Sequence, residues 1–144
     1  MAIRRMDHVG IVVDDMAAAI AFFVELGMEE RGGGSVEGDE VDRIVGLDGV
    51  DCDFAMLKTP DGHGGVELIE FRSPPSPATD AQLPPNVPGL RHLCFEVDDI
   101  EDTVERLRGH GGELLREIVD FGSVYRLGYL RGPAGVIVEL AEKL

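Results

Sequence analysis

Two histidines and two glutamates stand at matching places in this chain. The run Asp7-His8-Val9-Gly10-Ile11-Val12-Val13-Asp14-Asp15-Met16 returns as Arg91-His92-Leu93-Cys94-Phe95-Glu96-Val97-Asp98-Asp99-Ile100, 84 positions later. Each copy then reaches a second shared phrase, Val66-Glu67-Leu68 in one and Val138-Glu139-Leu140 in the other. Each half thus supplies one imidazole and one carboxylate. If a pseudo-twofold axis brings His8, Glu67, His92 and Glu139 together, they suit one borderline or hard divalent cation, with positions left for water or substrate. Zn, Ni, Co, Mn and Fe(II) all satisfy that donor set. A metal with two adjacent open positions can bind neighbouring oxygens and polarise a carbonyl. A carboxylate beside it can take the proton from the next carbon.

The elements that must carry these residues repeat as well. Residues 8–29 match 92–113 identically at six of 22 places, against roughly one or two for unrelated pairing at ordinary residue frequencies. Met16, Ile20 and Phe23 map onto Ile100, Val104 and Leu107, and both sets follow the i, i+4, i+7 stripe of a helix. Asp14 or Asp15 is positioned to cap the first helix, and Asp98 with Glu101 fits a capping box for the second. Gly27 and Gly111 stand where helices end. Strand patterns follow at Val41 to Leu47, Cys52 to Lys58 and Val66 to Phe71, and again at Glu113 to Val119, Val124 to Arg131 and Val136 to Ala141. Pro60-Asp61-Gly62 and Pro133-Ala134-Gly135 mark turns before the last strand of each set. Gly32-Gly33-Gly34 reads as a mobile loop. The order in each copy is β-α-β-β-β, and the fold class is α+β. Residues 1–72 form a first module and 90–144 a second. Residues 73–89, which hold six of the eight prolines, form the linker.

Strand alternation sorts the side chains by face. Val9, Ile11 and Val13 fit beneath the following helix, as do Leu93, Phe95 and Val97. His8 and His92 take the other face. Val66, Leu68 and Glu70 share one side of their strand, and Glu67, Ile69 and Phe71 the other; Val138 and Leu140 oppose Ile137, Glu139 and Ala141. Both His and both Glu can therefore look toward a concave side. A single His in a strand is more often structural than a ligand, and Glu70 reads as solvent-exposed. Recurrence of a His and a Glu in register is what raises the four above that background. Phe54, Met56, Phe71 and Tyr125 are candidate pocket walls by strand parity. Arg91 and Arg126 could meet a substrate carboxylate, although surface ion pairs suit them better.

Composition narrows the partners. Thirteen basic against 28 acidic residues give a net charge of −15, which repels phosphate backbones and anionic lipid, so neither nucleic acid nor a membrane is expected. No run approaches the ~18 apolar residues of a membrane span, and Met1-Ala2-Ile3-Arg4-Arg5 lacks the apolar run of a signal peptide. Two cysteines, Cys52 and Cys94, make no disulfide framework, which points to a reducing cytoplasm.

With these residues in place, the chain resembles the vicinal oxygen chelate superfamily: glyoxalase I, methylmalonyl-CoA epimerase, extradiol dioxygenases, and fosfomycin and bleomycin resistance proteins. The resemblance covers nearly the whole chain. It rests on His8, on Glu67 in Val66-Glu67-Leu68-Ile69-Glu70, on His92 in Leu90-Arg91-His92-Leu93, and on Glu139 in Gly135-Val136-Ile137-Val138-Glu139-Leu140. It implies paired βαβββ modules, each a curled half-barrel sheet, around a central metal cup. It also implies a homodimer, with the cup built by one chain or by two swapped subunits. The aromatic, Asn-rich stretch that follows the second ligand in glyoxalase I is absent. Methylmalonyl-CoA epimerases generally carry Gln where this chain has Glu67.

The resemblance implies a metal-dependent lyase or isomerase acting on a small carbonyl substrate. One divalent metal would bind at His8, Glu67, His92 and Glu139. Glu139 or Glu67 would move a proton next to the carbonyl by way of an enediolate. An extradiol-type dioxygenase ranks second, because its iron uses two His and one carboxylate and Glu67 would block an open position. A non-catalytic, bleomycin resistance-like binder ranks third. A −15 chain attracts a cationic drug, but such binders generally lack the full ligand set.

Overall fold

The carboxylates after the first strand of each repeat start its helix. Asp15 accepts from the Ala18 N–H at 3.0 Å and Asp99 from the Asp102 N–H at 2.9 Å, each satisfying a donor left open by the first helical turn. A computed structural model describes residues 2–144. Met1, which heads the expected first module and the expected leaderless N-terminus, lies outside the described residues. Asp99 takes the capping role expected of Asp98, because the helix begins one residue later, at Ile100.

The chain divides into two compact units, with the boundary between Ala78 and Thr79. The first contains β1 (Val9–Val12), α1 (Met16–Leu26), β2 (Glu29–Glu37), α2 (Asp39–Val45), β3 (Asp51–Lys58) and β4 (Gly65–Ser73). The second contains β5 (His92–Val97), α3 (Ile100–Arg108), β6 (Glu113–Leu114), β7 (Val119–Phe121), β8 (Tyr125–Arg131) and β9 (Ile137–Lys143). Both sheets are open and mixed. Their orders, β1-β4-β3-β2 and β5-β9-β8-β6, are the same topology written twice, with β7 added beside β8. In each, the first strand runs parallel to the last, which places a His-bearing strand next to a Glu-bearing one. The architecture is α+β, as the sequence implied.

Helix α1 packs on β4 and β2. Its buried face is Ala19, Phe22, Phe23 and Leu26, rotated from the expected Met16-Ile20-Phe23 stripe. Apolar residues surround nearly the whole of this helix, so periodicity could not select its inward face. Phe22 and Phe23 meet edge to face at 5.2 Å, and Leu57 and Leu68 are fully buried in the same core. In α3 the expected stripe holds: Ile100, Val104 and Leu107 are buried with Thr103. Leu130, Val138 and Leu140 complete the second core.

Three assignments change. Val41 to Leu47 is not a strand but mostly helix α2, with Asp39, Glu40 and Asp42 in its first turn. The Asp42 carboxylate accepts from the Gly49 and Val50 N–H groups, which ties the helix to the start of β3. Gly32-Gly33-Gly34 is not a mobile loop but the middle of β2, paired with β3 across a bulge after Glu30. A Cβ on Gly33 would lie 2.4 Å from the Phe54 carbonyl oxygen, so close approach, not flexibility, requires glycine there. Glu113 to Val119 is not one strand: β6 ends at Leu114, β7 begins only at Val119, and the residues between are irregular.

Glu70 is not simply solvated. Its Oε2 accepts from the Met16 N–H at 3.0 Å, and Glu142 does the same for the Ile100 N–H at 2.8 Å. The last strand of each unit thus clamps the helix that follows the first strand.

Residues 74–91 form no helix or strand. From residue 79 onward this stretch is held to the second unit. Arg131 donates to the Ala81 and Gly135 carbonyls, and Arg91 to those of Leu83 and Pro84.

Candidate metal centre

In the first unit β1 and β4 run in parallel with Gly10 opposite Glu67, and β3 brings Met56 to the other side of Glu67. Gly10 leaves the ground beside Glu67 open. His8, one residue before β1, turns its Nε2 toward Glu67 Oε2 at 3.9 Å. Its Nδ1 lies 2.8 Å from Asp7 Oδ2, and Arg5 donates to Asp7 Oδ1 at 2.7 Å. The bonds from His8 and Arg5, with the charge of Lys58, hold the Asp7 carboxyl below its usual range.

The second unit repeats the arrangement with different neighbours. Cys94 on β5 and Tyr129 on β8 flank Glu139 on β9, where the first unit has Gly10 and Met56. His92 Nε2 lies 3.2 Å from Glu139 Oε2. The Tyr129 hydroxyl is 3.4 Å from His92 Nδ1, and the two rings are tilted against each other at 5.0 Å. Burial, then the Glu139 charge, pushes the Tyr129 phenol up. Cys94 is exposed as a residue. Even so, partial enclosure of its sulfur, followed by the charges of Glu139 and Glu96, pushes the thiol up. Both groups therefore keep their protons at neutral pH, and the Cys94 thiol is hydrogen-bonded to Glu139.

The four residues named from sequence thus fall into two close pairs, His8 with Glu67 and His92 with Glu139. Within either unit, no three His, Cys, Asp or Glu side chains among the described residues gather as a metal-holding group. Each pair by itself is a fitting half-set. Two ligands about 2.0–2.2 Å from a metal lie roughly 3 Å apart. The second pair, at 3.2 Å, is already at that spacing, and the first, at 3.9 Å, is within a side-chain adjustment of it. In both pairs the facing atoms are an imidazole nitrogen and a carboxylate oxygen, donors of the correct kind.

The remaining named residues separate cleanly. Met56 lines the first pair. Phe54 lies opposite Ile69 on β4, and Phe71 opposite Cys52. Tyr125 pairs with Lys143 at the far end of β8. Arg126 is engaged by Glu101, Asp120 and Glu142, and Arg91 by backbone carbonyls, so neither offers a free guanidinium to substrate. Asp7 and Tyr129 were missed. Tyr129 shares the strand parity of Tyr125, four residues earlier, and that alternation was its one available signal.

The model of the Glyoxalase/Bleomycin resistance protein/Dioxygenase superfamily matches residues 5–140. The chain belongs to this superfamily. The matched stretch contains both His–Glu pairs. A glyoxalase family protein from Bacillus cereus has the same fold at a TM-score of 0.95 and 42% identity, covering 100% of this chain and 97% of that one. The uncharacterized protein YaeR of Escherichia coli is 29% identical over 99% of both chains. The mitochondrial methylmalonyl-CoA epimerase of Homo sapiens is 29% identical over 96% of this chain and 73% of its own length. The superfamily therefore includes enzymes among this chain's relatives. Among the described residues no helix is long and apolar enough to cross a membrane.

Proposed function

We propose that this superfamily member is a metal-dependent, glyoxalase-like lyase or isomerase that removes a proton adjacent to a carbonyl of a small substrate. In this reading His8, Glu67, His92 and Glu139 hold one divalent cation, and the working assembly is a cytoplasmic homodimer. The observation that carries the reading is the repeated pair. In both units an imidazole Nε2 faces a carboxylate Oε2 on the adjacent parallel strand, at 3.9 and 3.2 Å. A structural accident in one unit would have no reason to recur in the other with different neighbours.

The cation would supply the positive charge that polarises the substrate carbonyl and acidifies the next C–H. The side chains do the rest. His8 and His92 bind through Nε2. Glu139 or Glu67 accepts the proton and returns it. Glu139 is the better enclosed of the two, with 18% of its side chain exposed against 27% for Glu67, and it lies between the protonated Tyr129 and Cys94. On that placement Glu139 is assigned the proton and Glu67 the steadier ligand role. The likeness to methylmalonyl-CoA epimerase supports an acyl-thioester epimerisation, and Glu67 in place of Gln supports a distinct substrate.

The test is hydrogen exchange in D2O. Protein loaded in turn with Zn, Ni, Co, Mn and Fe(II) is given α-ketoaldehyde–thiol adducts, acyl-CoA epimers and catechols. Deuterium entering the carbon beside the carbonyl, and abolished by EDTA, is the expected result. Oxygen uptake with catechols, or no exchange with any metal, would overturn the proposal.

A further inference from the structure

We propose that Asp7 is a positioning residue that fixes the His8 ring with its proton on Nδ1, leaving Nε2 bare toward Glu67. The inference rests on the metal reading only for what that bare nitrogen goes on to bind.

Asp7 is well anchored. Its Oδ1 receives the Arg5 guanidinium at 2.7 Å, its backbone oxygen accepts from Lys58 Nζ at 3.4 Å, and its Oδ2 lies 2.8 Å from His8 Nδ1. An ionised carboxylate only accepts hydrogen bonds, so the shared proton belongs to Nδ1. A neutral imidazole then carries a lone pair on Nε2. That lone pair faces Glu67 Oε2 at 3.9 Å, beyond hydrogen-bonding distance. Two acceptors face one another with no proton between them, an arrangement that a bound cation relieves. A carboxylate on the far nitrogen also raises the ligand strength of the near one.

The second unit lacks this device. The residue before His92 is Arg91, whose guanidinium turns to the carbonyls of Leu83 and Pro84. His92 Nδ1 has only the long Tyr129 contact, 3.4 Å. The two imidazoles are therefore unequal: Asp7 leaves His8 Nε2 bare before any metal arrives, whereas His92 Nε2 faces the Glu139 carboxylate at 3.2 Å and holds the proton there.

Long-range proton–nitrogen spectra of 15N-labelled, metal-free protein at a pH where the rings are neutral read the tautomer directly, with His8→Gln assigning the ring. The wild type should show His8 as a single Nδ1–H form and His92, whose Nε2 lies 3.2 Å from the Glu139 carboxylate, mainly in the Nε2–H form. Asp7→Ala should move His8 toward the Nε2–H form favoured by free histidine and leave the His92 signals in place, which also checks the fold. Asp7→Asn, which keeps an acceptor oxygen, should largely restore the wild-type pattern. In a titration with Zn alone, Asp7→Ala should weaken binding about 10–100-fold, and Tyr129→Phe by less. A His8 ring already in the Nε2–H form, or a ring spectrum indifferent to Asp7→Ala, overturns the proposal. Correct spectra in a wild-type protein that takes up no metal would support Asp7's role and sink the metal reading instead.

Discussion

Glu139 is enclosed by Cys94, Tyr129 and His92, so removing its charge is a sharp intervention. Glu139→Gln keeps the shape and loses the anion. The expected outcome is metal affinity lower by about tenfold or more, roughly 1.4 kcal/mol, and no detectable proton exchange, with Tm close to wild type; calorimetric titration and the D2O assay check both. Glu67→Gln should weaken the metal similarly but retain some exchange if Glu139 is the base. The ligand residues were legible because they recur. Asp7 and Tyr129 were not, because their counterparts are Arg91 and Met56. A search by repetition finds what the halves share and passes over what distinguishes them.

Helix α1 and helix α3 each depend on a carboxylate from a distant strand, Glu70 and Glu142. Glu70→Ala leaves the Met16 N–H without its acceptor at a partly buried site. It should cost about 1–2 kcal/mol, read as a Tm fall of a few degrees. The strand face of Glu70 was legible, since it shares parity with Val66 and Leu68 beneath the helix. Its partner was not, because the register that brings it under Met16 is a tertiary fact. Helix α2 was not legible because Val41, Ile44 and Val45 are β-formers by type, and no buried stripe disciplines them: the helix buries no residue. Its signal was the acidic first turn.

Arg72, near the end of β4, reaches Asp51 and Asp53 on β3. Arg72, then Ser35, holds the Asp53 carboxyl below its usual value. A depressed folded-state value stabilises the protein above the unfolded carboxylate pKa, near 3.9, and that contribution is lost as pH falls through the folded value. Arg72→Ala should therefore lower Tm slightly at pH 7, with the gap from wild type closing below about pH 4. Because the pair is exposed, the effect should also shrink in high salt.

At the scale of the whole molecule, one strand order is used twice, each time delivering one imidazole and one carboxylate. The repeat was visible in sequence because the runs around His8 and His92 align residue by residue and the Val-Glu-Leu phrase recurs, although Glu67 lies 59 positions after His8 and Glu139 only 47 after His92. The extra length in the first unit goes into the long β2 and helix α2. A charge of −15 favours capture of a cation over an anionic polymer. Two donors hold a divalent ion weakly, so a site that needs four should fail when either unit loses its pair. Elemental analysis of protein equilibrated with a divalent metal and then desalted tests this most directly, on wild type, on His8→Ala with Glu67→Gln, and on His92→Ala with Glu139→Gln. The account predicts about one equivalent per chain in the wild type and almost none in either double variant, with both variants folded. Metal retained in full by either variant, or absent from the wild type, would contradict it.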